Sequence, residues 1–265
     1  MRATLGARGG CSAVTTDPTE RHGAGAKAAA WLVHGFTATS AIFALLSLMA
    51  LWEDDFRWSL VWLLCALAVD GIDGTLARAA RVKERAPRYD GAALDLIVDY
   101  LTYVFVPSLF LWRAGLVPDW AAMPLLVLIQ YSALYHFARS DMKTEDNYFR
   151  GFPALWNLVA FYLWVLGASA EVGGVAVALL ALSSFTNVTF VHPFRVRDFG
   201  AALPALATIW GLATLALLWP DWSEGVRAAL LWTSLGIGAV LIAMGLWRAV
   251  RGAKAPLPSR ERAGG

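Results

Sequence analysis

Four aspartates, Asp70, Asp73, Asp95 and Asp99, stand in the stretch AVDGIDGTLARAARVKERAPRYDGAALDLIVDY, residues 68–100, whose surroundings are strongly apolar. On a helix turning about 100° per residue, Asp70, Asp73, Gly74, Ala77 and Arg78 share one face. Gly91, Asp95 and Asp99 step by four and form a second stripe. Carboxylates are hard oxygen ligands, and two facing stripes of them suit Mg²⁺ or Mn²⁺, ions that keep open positions for phosphate oxygens. The glycines and Ala77 remove bulk where a ligand or a neighbouring backbone must come close. Caps or ion pairs with Arg78, Arg81 or Arg88 are the alternative for Asp70 and Asp73, but they leave Asp95 and Asp99 without a reason.

The elements that must hold these acids read as membrane spans. The chain has 265 residues, of which 58% are hydrophobic and only 16% charged, with thirteen Trp, a composition that departs from soluble globular domains. Apolar runs near twenty residues, the length that crosses a hydrocarbon core of about 30 Å, occur at approximately 28–50, 57–80, 90–112, 119–139, 153–170, 172–191, 201–219 and 226–247. The expectation is an all-α polytopic membrane protein of about eight transmembrane helices. Placing both termini in the cytoplasm puts nineteen of the 22 Lys and Arg on that side, as the positive-inside rule requires. Asp70 and Asp73 then lie about 6–10 Å inside the inner boundary, and Asp95 and Asp99 at about 9 and 15 Å. An aspartate at mid-helix costs about 2.5–3.5 kcal/mol on insertion scales, so four must be compensated.

Residues 1–27 and 249–265 are polar and small-residue rich and are expected to be disordered cytoplasmic tails around a catalytic domain at 28–248. Cys11 and Cys65, the two cysteines, suggest neither a disulfide framework nor a zinc site. The net charge of +2 implies no nucleic-acid partner; the basic face suits anionic lipid headgroups or a polyphosphate.

The pattern Asp70, Asp73, Gly74, Ala77, Arg78, then Gly91, Asp95 and Asp99 resembles the CDP-alcohol phosphotransferases, whose signature is Asp-x-x-Asp-Gly-x-x-Ala-Arg followed by Gly-x-x-x-Asp-x-x-x-Asp. All eight fixed positions are present. The twelve-residue spacer, 79–90, is longer than in most of the family and is similar to that of its choline-using bacterial branch, the phosphatidylcholine synthases. The stretch KTEDNYFRGFPALWN, residues 143–157, also resembles that branch. The resemblance covers most of residues 30–250 and implies a six-helix core with additional helices, in a bacterial inner membrane with its active site facing the cytoplasm.

It further implies that phosphatidyl passes from CDP-diacylglycerol to an alcohol and that CMP departs. Asp70, Asp73, Asp95 and Asp99 would hold one or two divalent cations, and Asp99 would serve as general base toward the acceptor hydroxyl. Asp73, Gly74, Ala77, Arg78 and Gly91 would receive the nucleotide and phosphates, and by the same analogy Thr37 would approach the cytosine. A hydroxyl bonding back to its own helix is the competing role for Thr37 and Thr39. Choline, a quaternary ammonium, is recognised by aromatic faces and negative charge; Tyr148, Phe149 and Trp156, with Glu145 and Asn157, are the candidates. Arg195 anchors at headgroup level or binds phosphate. Serine, inositol or glycerol phosphate are the alternative acceptors, a cation transporter is the alternative of another class, and a homodimer accords with the family.

Overall fold

The computed structural model describes residues 23–144, 146–192, 196 and 200–251. Most of both expected tails, together with Glu145 and Arg195, lies outside the described residues. The helices are α1 (Ala24–Trp52), α2 (Phe56–Ala79), the one-turn α3 (Val82–Arg85), α4 (Gly91–Asp99) and α5 (Val106–Arg113). There follow α6 (Asp119–Ala138), α7 (Trp156–Val165), α8 (Ala170–Ser183), α9 (Ala202–Ala216) and α10 (Glu224–Arg251). Among the described residues five helical segments, α1, α2, Gly91–Arg113, α6 and α10, are long and apolar enough to cross a membrane. The chain is a mostly helical, multi-pass membrane protein.

Against the expected count of about eight spans, five segments have full length, and α7, α8 and α9 are shorter apolar helices. At about 1.5 Å per residue, the ten residues of α7 reach about 15 Å and the fourteen of α8 about 21 Å. Hydropathy does not register their stops. Pro153 and Ala154, the latter at φ 56°, delay α7 to Trp156, and Gly167 at φ 60° ends it in the left-handed conformation that glycine adopts freely. After Ser183 the chain turns: Ser183 and Thr186 hydroxyls donate to the carbonyls of Leu180 and Ser183, competing with helix continuation.

The mostly helical fold carries one small sheet. Residues Tyr148–Arg150 (β1) and Thr189–Val191 (β2) form a two-stranded antiparallel sheet in the register Tyr148 to Val191 and Arg150 to Thr189. Three-residue strands fall below any readable alternation. The sheet is fastened to α10: Thr189 Oγ1 donates to the Gly245 carbonyl at 2.7 Å, and Arg248 forms a two-pronged ion pair with Asp146 at 2.9 and 3.0 Å.

α1 is the axis of the site. Its buried positions Ala30, His34, Thr37, Ser40, Ala44, Ser47 and Leu51 recur at helical spacing, and it packs along α2 and α4. Most are small or hydroxylated, which lets helices approach without a hydrophobic driving force. Ser47 Oγ bonds both the Ser59 carbonyl and the Ser59 hydroxyl at 2.9 Å across that contact. Asp90 caps α4, accepting from the amides of Ala92 and Ala93. The next segment, Tyr100–Phe105, is a π-helix, a winding frequent at functional sites. Pro107, which has no N–H and crowds the carbonyl four residues back, loosens the ladder there.

Candidate active site

α2 and α4 set their acids against each other. Carboxylate oxygens of Asp70, Asp95 and Asp99 all lie within 4.8 Å of one another. Two are on one helix, a single turn apart, and the third comes from the neighbouring span. A divalent ion with bonds of about 2.1 Å spans about 4 Å between opposite ligands, so the donor set and its spread fit such an ion. Three carboxylates this close repel one another strongly in a poorly screened interior, and a cation among them removes that repulsion.

Asp73 takes a different position. It is buried, and its Oδ2 accepts from the Thr37 hydroxyl at 2.8 Å. Thr37 therefore bonds across to α2, whereas Thr39 bonds back to the Phe36 carbonyl at 2.6 Å. Asp73 and Thr37 stand on the wall of a cavity of about 750 Å³, within the size range of small-molecule sites. Gly74, Ala77, Arg78, Gly91 and Asp95 line the same cavity. Thr37, Asp73, Gly74, Ala77, Arg78 and Gly91, the residues named from the sequence for the nucleotide, thus surround one space, and Asp95 connects it to the acidic trio. The spacer adds Arg81, Lys83 and Arg88, so with Arg78 four basic residues line the cavity. Arg78 is exposed, and its Nη2 reaches the Thr75 hydroxyl at 3.0 Å.

Tyr103 belongs to the site and was not anticipated. Its hydroxyl donates to Asp70 Oδ2 at 2.6 Å, and it is 5% exposed. The signal was there: Gly91, Asp95, Asp99 and Tyr103 continue one four-residue step. A tyrosine in an apolar span ordinarily reads as part of an interfacial belt, whereas this one is buried against Asp70.

The aromatic stretch after α6 is built differently. Tyr148 is 3% exposed, with the Arg248 guanidinium 5.5 Å from its ring centre. Phe149 carries the Lys143 ammonium 5.0 Å from its ring centre and stacks on His192 at 5.2 Å. Trp156 and Asn157, at the start of α7, are fully buried. Trp156 Nε1 and Asn157 Nδ2 have no hydrogen-bond partner among the described residues. Outside the spans, Arg248 holds the Asp146 carboxyl below the ordinary carboxylate range, chiefly by hydrogen bonding.

With this geometry, comparison with known proteins identifies the class. Residues 31–189 match the family model CDP-alcohol phosphatidyltransferase, and the chain belongs to that family of enzymes. Among relatives, a phosphatidylcholine synthase of Pseudomonas aeruginosa is 41% identical over 225 residues, 85% of this chain and 94% of the relative. One from Legionella pneumophila is 34% identical over 80% of this chain and 84% of its own length. A third, from Bradyrhizobium diazoefficiens, is 38% identical over 83% and 79%.

Proposed function

We propose that this chain is a phosphatidylcholine synthase: it moves phosphatidyl from CDP-diacylglycerol to choline and releases CMP. The observation that carries this reading is the junction of the Asp70, Asp95 and Asp99 trio with a cavity bordered by Arg78, Arg81, Lys83 and Arg88. Carboxylates alone would repel a diphosphate; carboxylates with a divalent cation, beside a basic rim, attract it. Relatives bearing that name cover most of the chain, and they favour choline over serine, inositol or glycerol phosphate. Family membership also favours an enzyme over a cation transporter.

Asp70, Asp95 and Asp99 would hold Mn²⁺ or Mg²⁺, which supplies charge neutralisation at the diphosphate when bound. Asp73, oriented by Thr37, fixes the donor beside the trio, and Gly74, Ala77 and Gly91 let it approach the backbone. Arg78 offers planar, permanently charged donors to phosphate oxygens. Asp99 receives the choline hydroxyl proton as that oxygen forms its bond to the lipid phosphorus; the phosphorus–oxygen bond to CMP breaks, and CMP leaves with the electron pair. Trp156 and Asn157 are our choice for acceptor contacts, since each has a buried polar atom with no partner among the described residues. We place the cavity on the cytoplasmic side of a bacterial inner membrane, a reading the Lys and Arg distribution supports, with the donor's acyl chains remaining in the bilayer.

The test uses purified protein, CDP-diacylglycerol and Mn²⁺ with labelled choline, serine, inositol or glycerol phosphate in separate reactions. Lipid product is expected with choline and not with the others. Product with another acceptor alone would keep the reaction class and overturn the choice of alcohol.

A further inference from the structure

One wall of the nucleotide cavity has no role in the chemistry above. His34 on α1 lines the cavity, is 6% exposed, and its Nε2 has no hydrogen-bond partner among the described residues. Buried polar atoms without partners are rare in folded proteins and point to a partner that is missing. Tyr89, from the end of the spacer, stands over the imidazole with ring centres 4.5 Å apart and planes inclined by 54°. Trp31 completes the group, 5.3 Å from Tyr89 and 5.9 Å from His34. Tyr89 also lines the cavity and remains 40% exposed.

The spacer is folded to bring Tyr89 there. Val82 and Ala86, from α3 and the residue after it, bury themselves with Ala30 of α1, and the chain then returns through Tyr89 into α4. Gly91 makes room below: a Cβ at that position would stand 2.7 Å from His34 Cε1. The glycine thus serves the imidazole as well as any ligand.

Position assigns this wall an end of the donor. His34 lies three residues before Thr37, the donor to Asp73, on α1, and Gly91 four before Asp95 on α4, so each stands about one turn, roughly 5 Å along its helix, from a residue that reaches or supplies a carboxylate. A diphosphate held at the carboxylates sends its nucleoside along the cavity toward this wall. An accessible aromatic ring takes a planar base by stacking, and an imidazole nitrogen donates to or accepts from the base according to its tautomer. We propose that Tyr89 and His34 form the nucleoside end of the donor site, Tyr89 stacking on the base and His34 Nε2 bonding its polar edge. This rests on the donor reading above and adds two binding residues to it.

Binding of CMP to the purified full chain in detergent with Mn²⁺, measured by calorimetry, tests the assignment, with inorganic pyrophosphate as a competitor. Tyr89→Ala is expected to weaken CMP by about fivefold or more, with pyrophosphate affinity and the choline KM unchanged. Tyr89→Trp is expected to retain CMP affinity within about twofold, because it keeps a stacking face. His34→Phe keeps a ring beside Gly91 and removes the nitrogen, and is expected to weaken CMP by about threefold or more. Unchanged CMP affinity in Tyr89→Ala and His34→Phe, or equal losses for CMP and pyrophosphate, overturns the inference. In either case Mn²⁺-dependent CMP binding that disappears in Asp95→Asn leaves the donor site standing. Absence of Mn²⁺-dependent CMP binding in the unaltered chain overturns the donor reading and this inference together.

Discussion

Around the acidic trio, side chains from two spans converge on an open space; around the β1–β2 sheet, aromatic rings are covered by the chain's own cations. The first region gathers Asp70, Asp95 and Asp99 within 4.8 Å beside a cavity. In the second, Arg248 lies over Tyr148 and Lys143 over Phe149, and Asp146 pairs with Arg248. Both contain the residue types that would bind a charged substrate. What separates them is the sign of the charges brought together. Three carboxylates within 4.8 Å repel one another, whereas the Tyr148 ring faces a guanidinium and the Phe149 ring an ammonium. The difference teaches that composition finds both regions and that only the contacts of each side chain tell them apart.

The largest effect expected is at Asp99. Asp99→Asn should lower turnover by about 10²–10⁴-fold, the range for loss of a general base, while Mn²⁺-dependent CMP binding persists. Turnover within about tenfold of the unaltered enzyme would remove Asp99 as the base. At Tyr148 the comparison predicts a structural outcome: Tyr148→Ala should cost about 3–5 kcal/mol, as for a large buried aromatic, seen as a lower melting temperature in detergent. A raised choline KM with unchanged melting would instead make the second region an open acceptor site. The smallest effect is at Tyr103, where Tyr103→Phe removes a hydrogen bond to a carboxylate worth about 1.5–3 kcal/mol. Its readout is a higher Mn²⁺ concentration for half-maximal activity, with the choline KM unchanged.

Much of the first region was legible because helical geometry and chemistry coincide there. The four-residue step of Gly91, Asp95 and Asp99 requires only that the segment be helical, and apolar neighbours make it so. Thr37 was legible as a polar atom at the depth of the acids, but its partner, Asp73, was not, since relative rotation of α1 and α2 is set by packing. His34 and Tyr89 meet only because α3 folds back onto Ala30, a long-range contact with no periodicity to announce it. The second region was legible as a set of aromatics and opaque as a structure. Arg248 comes from the end of α10, a hundred residues beyond Asp146, and the strands are too short to show a pattern.

The π-helical winding after Asp99 has a geometrical consequence. Residues spaced by four on an α-helix drift sideways by about 40° at every step, so a stripe begun at Gly91 would slide off the acidic face by the third step. A π turn absorbs more residues per revolution and swings the following side chain back. The relaxed coil beyond Asp99 thereby keeps the phenol of Tyr103 in line with the acids, and the helix extends its ligand-facing edge by one more residue than regular winding permits.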